Sequence, residues 1–205
     1  MNFLAHLWLA ERTGTSLAGA ILGDVVRGAD LSAYPPELAL GIRLHRRIDA
    51  RTDRHPQIRA LRSGFAAGAR RYAGIVIDLA CDHALAADWS SHSAEPLAVF
   101  CQRAAVAVAR QARWFEYAGG CAPDAERFAA LLRSYAEPSG IDQAFARIAR
   151  RLRAPAPLLA AASDWPRHAR ALQAGLPTLL AELVADVADL TSSDERSADT
   201  LCYRR

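Results

Sequence analysis

Apolar positions recur at three- and four-residue intervals along most of the chain, and no run of six residues alternates strictly between apolar and polar. That period belongs to helices with one buried stripe, whereas alternation would have implied strands. Residues 2–12 place Phe3, Leu4, Leu7 and Trp8 on one side, with His6 near its edge. Ser16 is suited to cap a second helix through about Val26, which Gly28 and the turn residues of "RGADLSAYPP" bring to a stop. A third helix opens at Pro36, a residue favoured in a first turn, and closes before Pro56. Further helices are predicted over 56–70, 72–89 and 95–117, with others following to residue 190. The reading is all-α: a single helical domain of about eight helices over 1–190, then a polar, frayed tail over 191–205.

A chain of 205 residues can bury one good core. No stretch approaches the roughly 18 uncharged apolar residues of a membrane span. The opening "MNFLAHLWLAERTG" has neither a basic leader nor a small-residue cleavage site, so the expected location is cytoplasmic, with no membrane partner. Four cysteines without a C-x-x-C pair fit free thiols in a reducing compartment. All 25 basic residues are Arg, which supplies bidentate donors for phosphate or carboxylate. The net charge of +3 is too small to argue for nucleic acid.

The acids carry more information. Residues 1–90 hold seven Asp but two Glu, although Glu is the better helix former, so the short carboxylates are placed for geometry. In "GIVIDLACDHALAADW" (74–89), Asp78, Asp82 and His83 interrupt a helix apolar enough to be buried. A carboxylate there needs a cation, a hydrogen-bond donor or a metal. Asp78 and Asp82 share a face at i, i+4, and His83 lies about 100° around from Asp82. The third helix repeats the spacing with His45, Asp49 and Asp53, among Arg43, Arg46, Arg47, Arg51 and Arg54, and the second ends with Asp24 and Arg27. Oxygen ligands with imidazole suit Mn²⁺, Mg²⁺ or Fe²⁺ better than a thiolate zinc site, and the arginines suit a phosphate. Plainer readings compete: Asp78 as partner of an Arg, His45–Asp49 as a simple pair, His6 as a core histidine, and the arginine run as a solvated face. His55, His92 and His168 lie beside turns or proline and read as surface residues.

The order of "MNFLAHLWLA", "LGDVVRG" (22–28), "LHRRIDARTD" (44–53) and "IDLACDHALAADW" (77–89) closely resembles the acyl carrier protein phosphodiesterases. That resemblance implies an all-helical, HD-phosphohydrolase-like fold and Mn²⁺-dependent hydrolysis of holo acyl carrier protein to the apo form, with release of 4′-phosphopantetheine. It implies Asp24, His45, Asp78 and Asp82 as metal ligands, with His6 as a fifth ligand or outer partner and Asp49 as an outer partner. His83 would orient a ligand or donate a proton to the leaving serine oxygen, and Arg27, Arg46 or Arg47 offsets charge on the phosphoryl oxygens. Arg43, Arg51 and Arg54 would steer the acidic carrier protein. Two rival readings are an HD-type nucleotide phosphohydrolase and a noncatalytic helical module that docks an acidic protein.

Overall fold

The computed structural model describes residues 1–187, all helices and turns, so the expected tail and the end of the helix expected to reach residue 190 lie outside the described residues. The first half comprises α1 (Phe3–Arg12), α2 (Leu17–Leu22), α3 (Pro36–Arg54), α4 (Pro56–Ser63) and α5 (Ala73–Ala87). α6 (Trp89–His92), α7 (Leu97–Ala109), α8 (Ala112–Tyr117), α9 (Ala125–Ser134), α10 (Pro138–Ala149), α11 (Ala156–Ala162) and α12 (Trp165–Gln173) follow. A last helix, α13, covers 176–187.

Helix starts follow local chemistry. Ser16 accepts a hydrogen bond from the Gly19 N–H to cap α2, and Asp124 does the same for α9 from Arg127. Proline occupies the first turn of α3, α4, α10, α11 and α12, where its missing N–H costs nothing. α1 is different: Asn2 stands at its N-cap but makes no side-chain capping bond.

α5 is the central strut. Val76, Ile77, Leu79, Ala80 and Leu85 are buried on it, and α1, α4, α10 and α12 pack around it. α2 lies directly on α3 because each contributes a glycine at the crossing. A Cβ on Gly19 would come 2.8 Å from the Gly41 Cα, and one on Gly41 would come 2.8 Å from the Gly19 Cα. Only two bare backbones fit that approach.

Several expected boundaries are corrected. α2 ends at Leu22 rather than Val26, and α4 ends at Ser63, followed by a turn and a 3₁₀ segment at Arg70–Tyr72. The stretch 95–117 breaks at Arg110–Gln111 into two helices, and the later region breaks at Ser163–Asp164, where Pro166 opens α12. Three histidines expected at the surface are not there. His92 and His168 are buried and His55 is half-buried; His168 stacks on Phe65 and His92 meets the edge of Trp8.

Candidate metal centre

α1, α3 and the loop after α2 bring His6, His45, Asp49 and Asp24 to one place. His45 and Asp49 are one turn apart on α3 and share its inner face. The glycine crossing draws α2 down until Gly23 lies against the His45 ring, where a Cβ would come within 2.2 Å of the imidazole Cγ. The next residue is Asp24. His6 arrives from the middle of α1, its ring stacked on His45 with centroids 3.9 Å apart and planes 19° apart.

The polar atoms converge. His45 Nδ1 lies 2.6 Å from the Ala20 carbonyl oxygen, which can only accept, so Nδ1 carries the proton and Nε2 faces the carboxylates. Nε2 lies 3.4 Å from Asp24 Oδ1 and 3.2 Å from Asp49 Oδ2. His6 Nε2 lies 3.0 Å from Asp49 Oδ1. Ligand atoms of His6, His45 and Asp49 all fall within 4.8 Å of one another, a group able to hold a metal ion. Both imidazoles are almost wholly buried, whereas the Asp24 and Asp49 side chains are 50% and 43% exposed. The site therefore has an imidazole floor and a carboxylate rim open to a ligand.

Its electrostatics ask for a cation. Burial opposes charge on His45, but hydrogen bonds to Asp24 and Asp49 outweigh it and raise the pKa to about 9. Burial lowers His6 to about 4 despite Asp49. Burial pushes the Asp49 carboxyl upward, yet the bonds from His45 and His6 win and hold it well below the usual range. Two stacked imidazoles cannot both be cationic at low cost, so at most one imidazolium joins the Met1 ammonium in facing Asp24, Asp49 and Asp78. A cation at the rim would offset the remaining carboxylate charge, and the Ala20 carbonyl fixes His45 in the tautomer whose Nε2 is free to act as a ligand.

Other expected ligands are placed differently. Asp82 is fully buried, and both oxygens are used: Oδ2 accepts from the Leu4 N–H at 2.8 Å and Oδ1 from the Ala5 N–H at 3.1 Å. These are free donors of the first turn of α1, so Asp82 supplies from α5 the cap that Asn2 does not. The expectation that it grips a metal is thereby corrected. Burial raises its carboxyl to about 7 against the pull of those two N–H bonds. Asp78 Oδ1 lies 3.1 Å from the Met1 amino group, which also lies 3.4 Å from Asp49 Oδ1. Asp78 thus meets the cluster through an ammonium rather than as a member of it. His83 directs Nδ1 to the Tyr135 carbonyl at 2.8 Å and sets its ring edge-on to Trp165, beside a cavity of about 250 Å³ bordered by Pro138 and Arg170. It is not brought to the cluster, which corrects its expected role as proton donor.

The arginines separate too. Arg46 donates to the Gly28 carbonyl at 2.7 Å and the Val26 carbonyl at 2.8 Å, so it ties down the Asp24 loop instead of facing a substrate. Arg47 is half-buried, its Nε without a partner, and two residues along α3 place it about 200° around from His45. Arg51 pairs with Asp186 of α13. Arg54 is exposed beside it, in a cavity of about 390 Å³ that also holds His55 and Glu182. Arg43 is exposed on the outer face of α3, and Arg27 is exposed three residues after Asp24. Asp49, expected as an outer partner, and His6, expected as a fifth ligand or outer partner, belong with His45 to that three-residue group. The i, i+4 spacing of His45 and Asp49 was the signal for one; nothing local marks the other.

An all-helical set of described residues in which two histidines and Asp49 converge at one open point, with Asp24 on its rim, defines a helical protein with a candidate metal site. Comparison narrows this: the family described as acyl carrier protein phosphodiesterase matches residues 1–183, and the chain belongs to that family. Among curated proteins, it is 46% identical over 101 residues to the acyl carrier protein phosphodiesterases of Escherichia coli O139:H28 (strain E24377A / ETEC) and Salmonella agona (strain SL483). The match covers 49% of this chain and 52% of each relative, so it spans about half the length of those proteins. No solved structure matches.

Proposed function

We propose that the chain hydrolyses the phosphodiester that joins 4′-phosphopantetheine to a serine of acyl carrier protein, converting holo to apo protein with a divalent metal, Mn²⁺ foremost. The observation that carries this reading is His45, fixed through Nδ1 on the Ala20 carbonyl with Nε2 between Asp24 and Asp49. His6, Asp24, His45 and Asp49 would hold the ion, a mixed imidazole–carboxylate set that suits Mn²⁺, with Mg²⁺ or Fe²⁺ as substitutes. When bound, such an ion lowers the pKa of a coordinated water and polarises a phosphoryl oxygen. The half-exposed carboxylates leave the rim open to a phosphodiester. Arg27, exposed just beyond Asp24, is placed to offset charge on the non-bridging oxygens. The outward arginines Arg43 and Arg54 suit the acidic surface of a carrier protein. No helix among the described residues is long and apolar enough to cross a membrane, and the free thiols Cys81, Cys101 and Cys121 suit a reducing cytoplasm.

The test uses chain purified without chelator. Incubation with holo acyl carrier protein and Mn²⁺ should remove the arm, as read by intact-protein mass spectrometry, and excess chelator should stop the loss. An unchanged carrier-protein mass with Mn²⁺, Mg²⁺ and Fe²⁺ alike would overturn the reading.

A further inference from the structure

Tyr34, Trp114 and Tyr117 form a three-ring cluster that the metal cluster does not use. Tyr34 lies 5.5 Å from Trp114 and 5.4 Å from Tyr117 between ring centroids, and Trp114 lies 5.8 Å from Tyr117. Tyr117 is 62% exposed, which is unusual for a large aromatic side chain already in contact with two others. The Trp114 Nε1–H is buried without an acceptor. A buried donor left in that state is costly and calls for a partner that the folded chain does not supply.

The cluster adjoins the loop that carries Asp24. The chain just beyond α8 packs on Val25, whose Cγ1 lies 2.7 Å from where a Gly120 Cβ would be. Arg46, which holds the Val26 and Gly28 carbonyls, lies within electrostatic reach of Tyr34. The three rings and the Asp24 loop therefore border each other through Val25 and Arg46.

We propose that Tyr34, Trp114 and Tyr117 form the subsite for the pantetheine portion of the substrate. This rests on the phosphodiesterase reading and deepens it. The pantetheine portion is uncharged, with a dimethyl-substituted carbon close to the phosphate and two amides beyond. Methyl groups pack on aromatic faces, and an amide carbonyl that draws the indole edge out of its present burial is the acceptor that the N–H lacks.

The test reads binding without turnover. Metal-loaded protein is titrated by calorimetry with 4′-phosphopantetheine and with ethyl phosphate, which shares the phosphate and lacks the arm. Phosphopantetheine should bind about tenfold tighter or more, the scale of an aromatic contact with one hydrogen bond. Tyr117→Ser, at a position already open to solvent, and Trp114→Ala should bring that ratio toward one and leave ethyl phosphate unchanged. Equal affinities in the parent protein, or an unchanged ratio in Tyr117→Ser, overturn the proposal. So does a Tyr117→Ser variant that loses affinity for apo carrier protein but keeps it for phosphopantetheine. Failure to hydrolyse holo carrier protein would count against the functional reading alone, because the binding ratio stands independently of turnover.

Discussion

Gly23→Ala isolates the contact that seats the candidate metal centre. Gly23 has φ −53° and ψ −34°, so alanine is free of backbone strain and the effect is steric. The added methyl would lie 2.2, 2.4 and 2.5 Å from the Cγ, Cδ2 and Cβ of His45. Carbon atoms rest about 3.5–4.0 Å apart, so the ring or the loop must yield by about 1.3 Å or more. The ring is stacked on His6 and held through Nδ1 by Ala20. Any escape breaks that bond or moves Nε2 away from Asp24. Overpacking costs about 1–3 kcal/mol, and the Gly-to-Ala change returns about 0.5–1, so the melting temperature should fall by only a few degrees. A displacement of about 1 Å in a catalytic group can cost about 100-fold in rate. Thermal melts, Mn²⁺ calorimetry and hydrolysis of holo carrier protein should therefore show a modest melting shift, Mn²⁺ affinity at least about tenfold weaker, and turnover down about 100-fold. Gly68→Ala, where a Cβ meets nothing within 4 Å, serves as the silent control. If Gly23→Ala keeps Mn²⁺ affinity and turnover within about twofold of the parent, the steric reasoning and the role of His45 both fall.

Asp82→Asn should retain Mn²⁺ affinity but lower the melting temperature, because an amide accepts through one oxygen and leaves one N–H of α1 unpaired, at about 1–3 kcal/mol. Its pH signature follows from a folded pKa of about 7 against an unfolded value of about 3.9: the folded state holds an extra proton between them. The parent's stability relative to Asp82→Asn should thus be greatest near the acid end of that window and decline as pH rises to about 7, and parallel melting curves from pH 5 to 8 would refute it. Arg46→Lys should weaken Mn²⁺ binding severalfold in calorimetry, since a single ammonium cannot hold both the Val26 and Gly28 carbonyls beside Asp24; unchanged affinity would show that the loop needs no tether. Asp186→Ala unmasks the Arg51 charge and should raise kcat/KM for holo carrier protein at low salt, with the gain fading as salt rises. No gain would argue against docking through this face of α3.

Helix positions were legible wherever one stripe of apolar residues ran unbroken. Their interruptions were less so, because a break needs a tertiary reason. Nothing at Arg110–Gln111 marks a stop: no proline, no glycine and no lost period. Pro166 carried such a mark, but the apolar period ran the expected helix over 157–174 straight through it, whereas the proline sits in the first turn of α12. The buried histidines show the same limit. His168, two residues after Pro166, has the local context of a surface residue, and only the arrival of Phe65 from another part of the chain makes it a core one.

Asp82 and Asp49 show why half of the site was misplaced. Each belongs to an i, i+4 polar pair on a helix, Asp78–Asp82 on α5 and His45–Asp49 on α3, and spacing cannot separate the two. The surroundings can. α5 is apolar nearly all round, and a carboxylate deep within it has no route to a substrate, so it serves the fold: here, two backbone N–H groups at the start of α1. α3 is divided between a buried arc and a charged one, and His45 and Asp49 sit at their boundary, with the imidazole inside and the carboxylate 43% exposed. A metal that must admit a ligand needs that boundary, because its protein side has to be held rigidly while another side stays open. In the sequence, the arginine run along 43–54 competed as a solvated face with His45 as a ligand, and Asp49 stayed among the outer partners. His6 lay beyond any local argument, since its partner at Asp49 is 43 residues away and its own helix gives it only apolar neighbours.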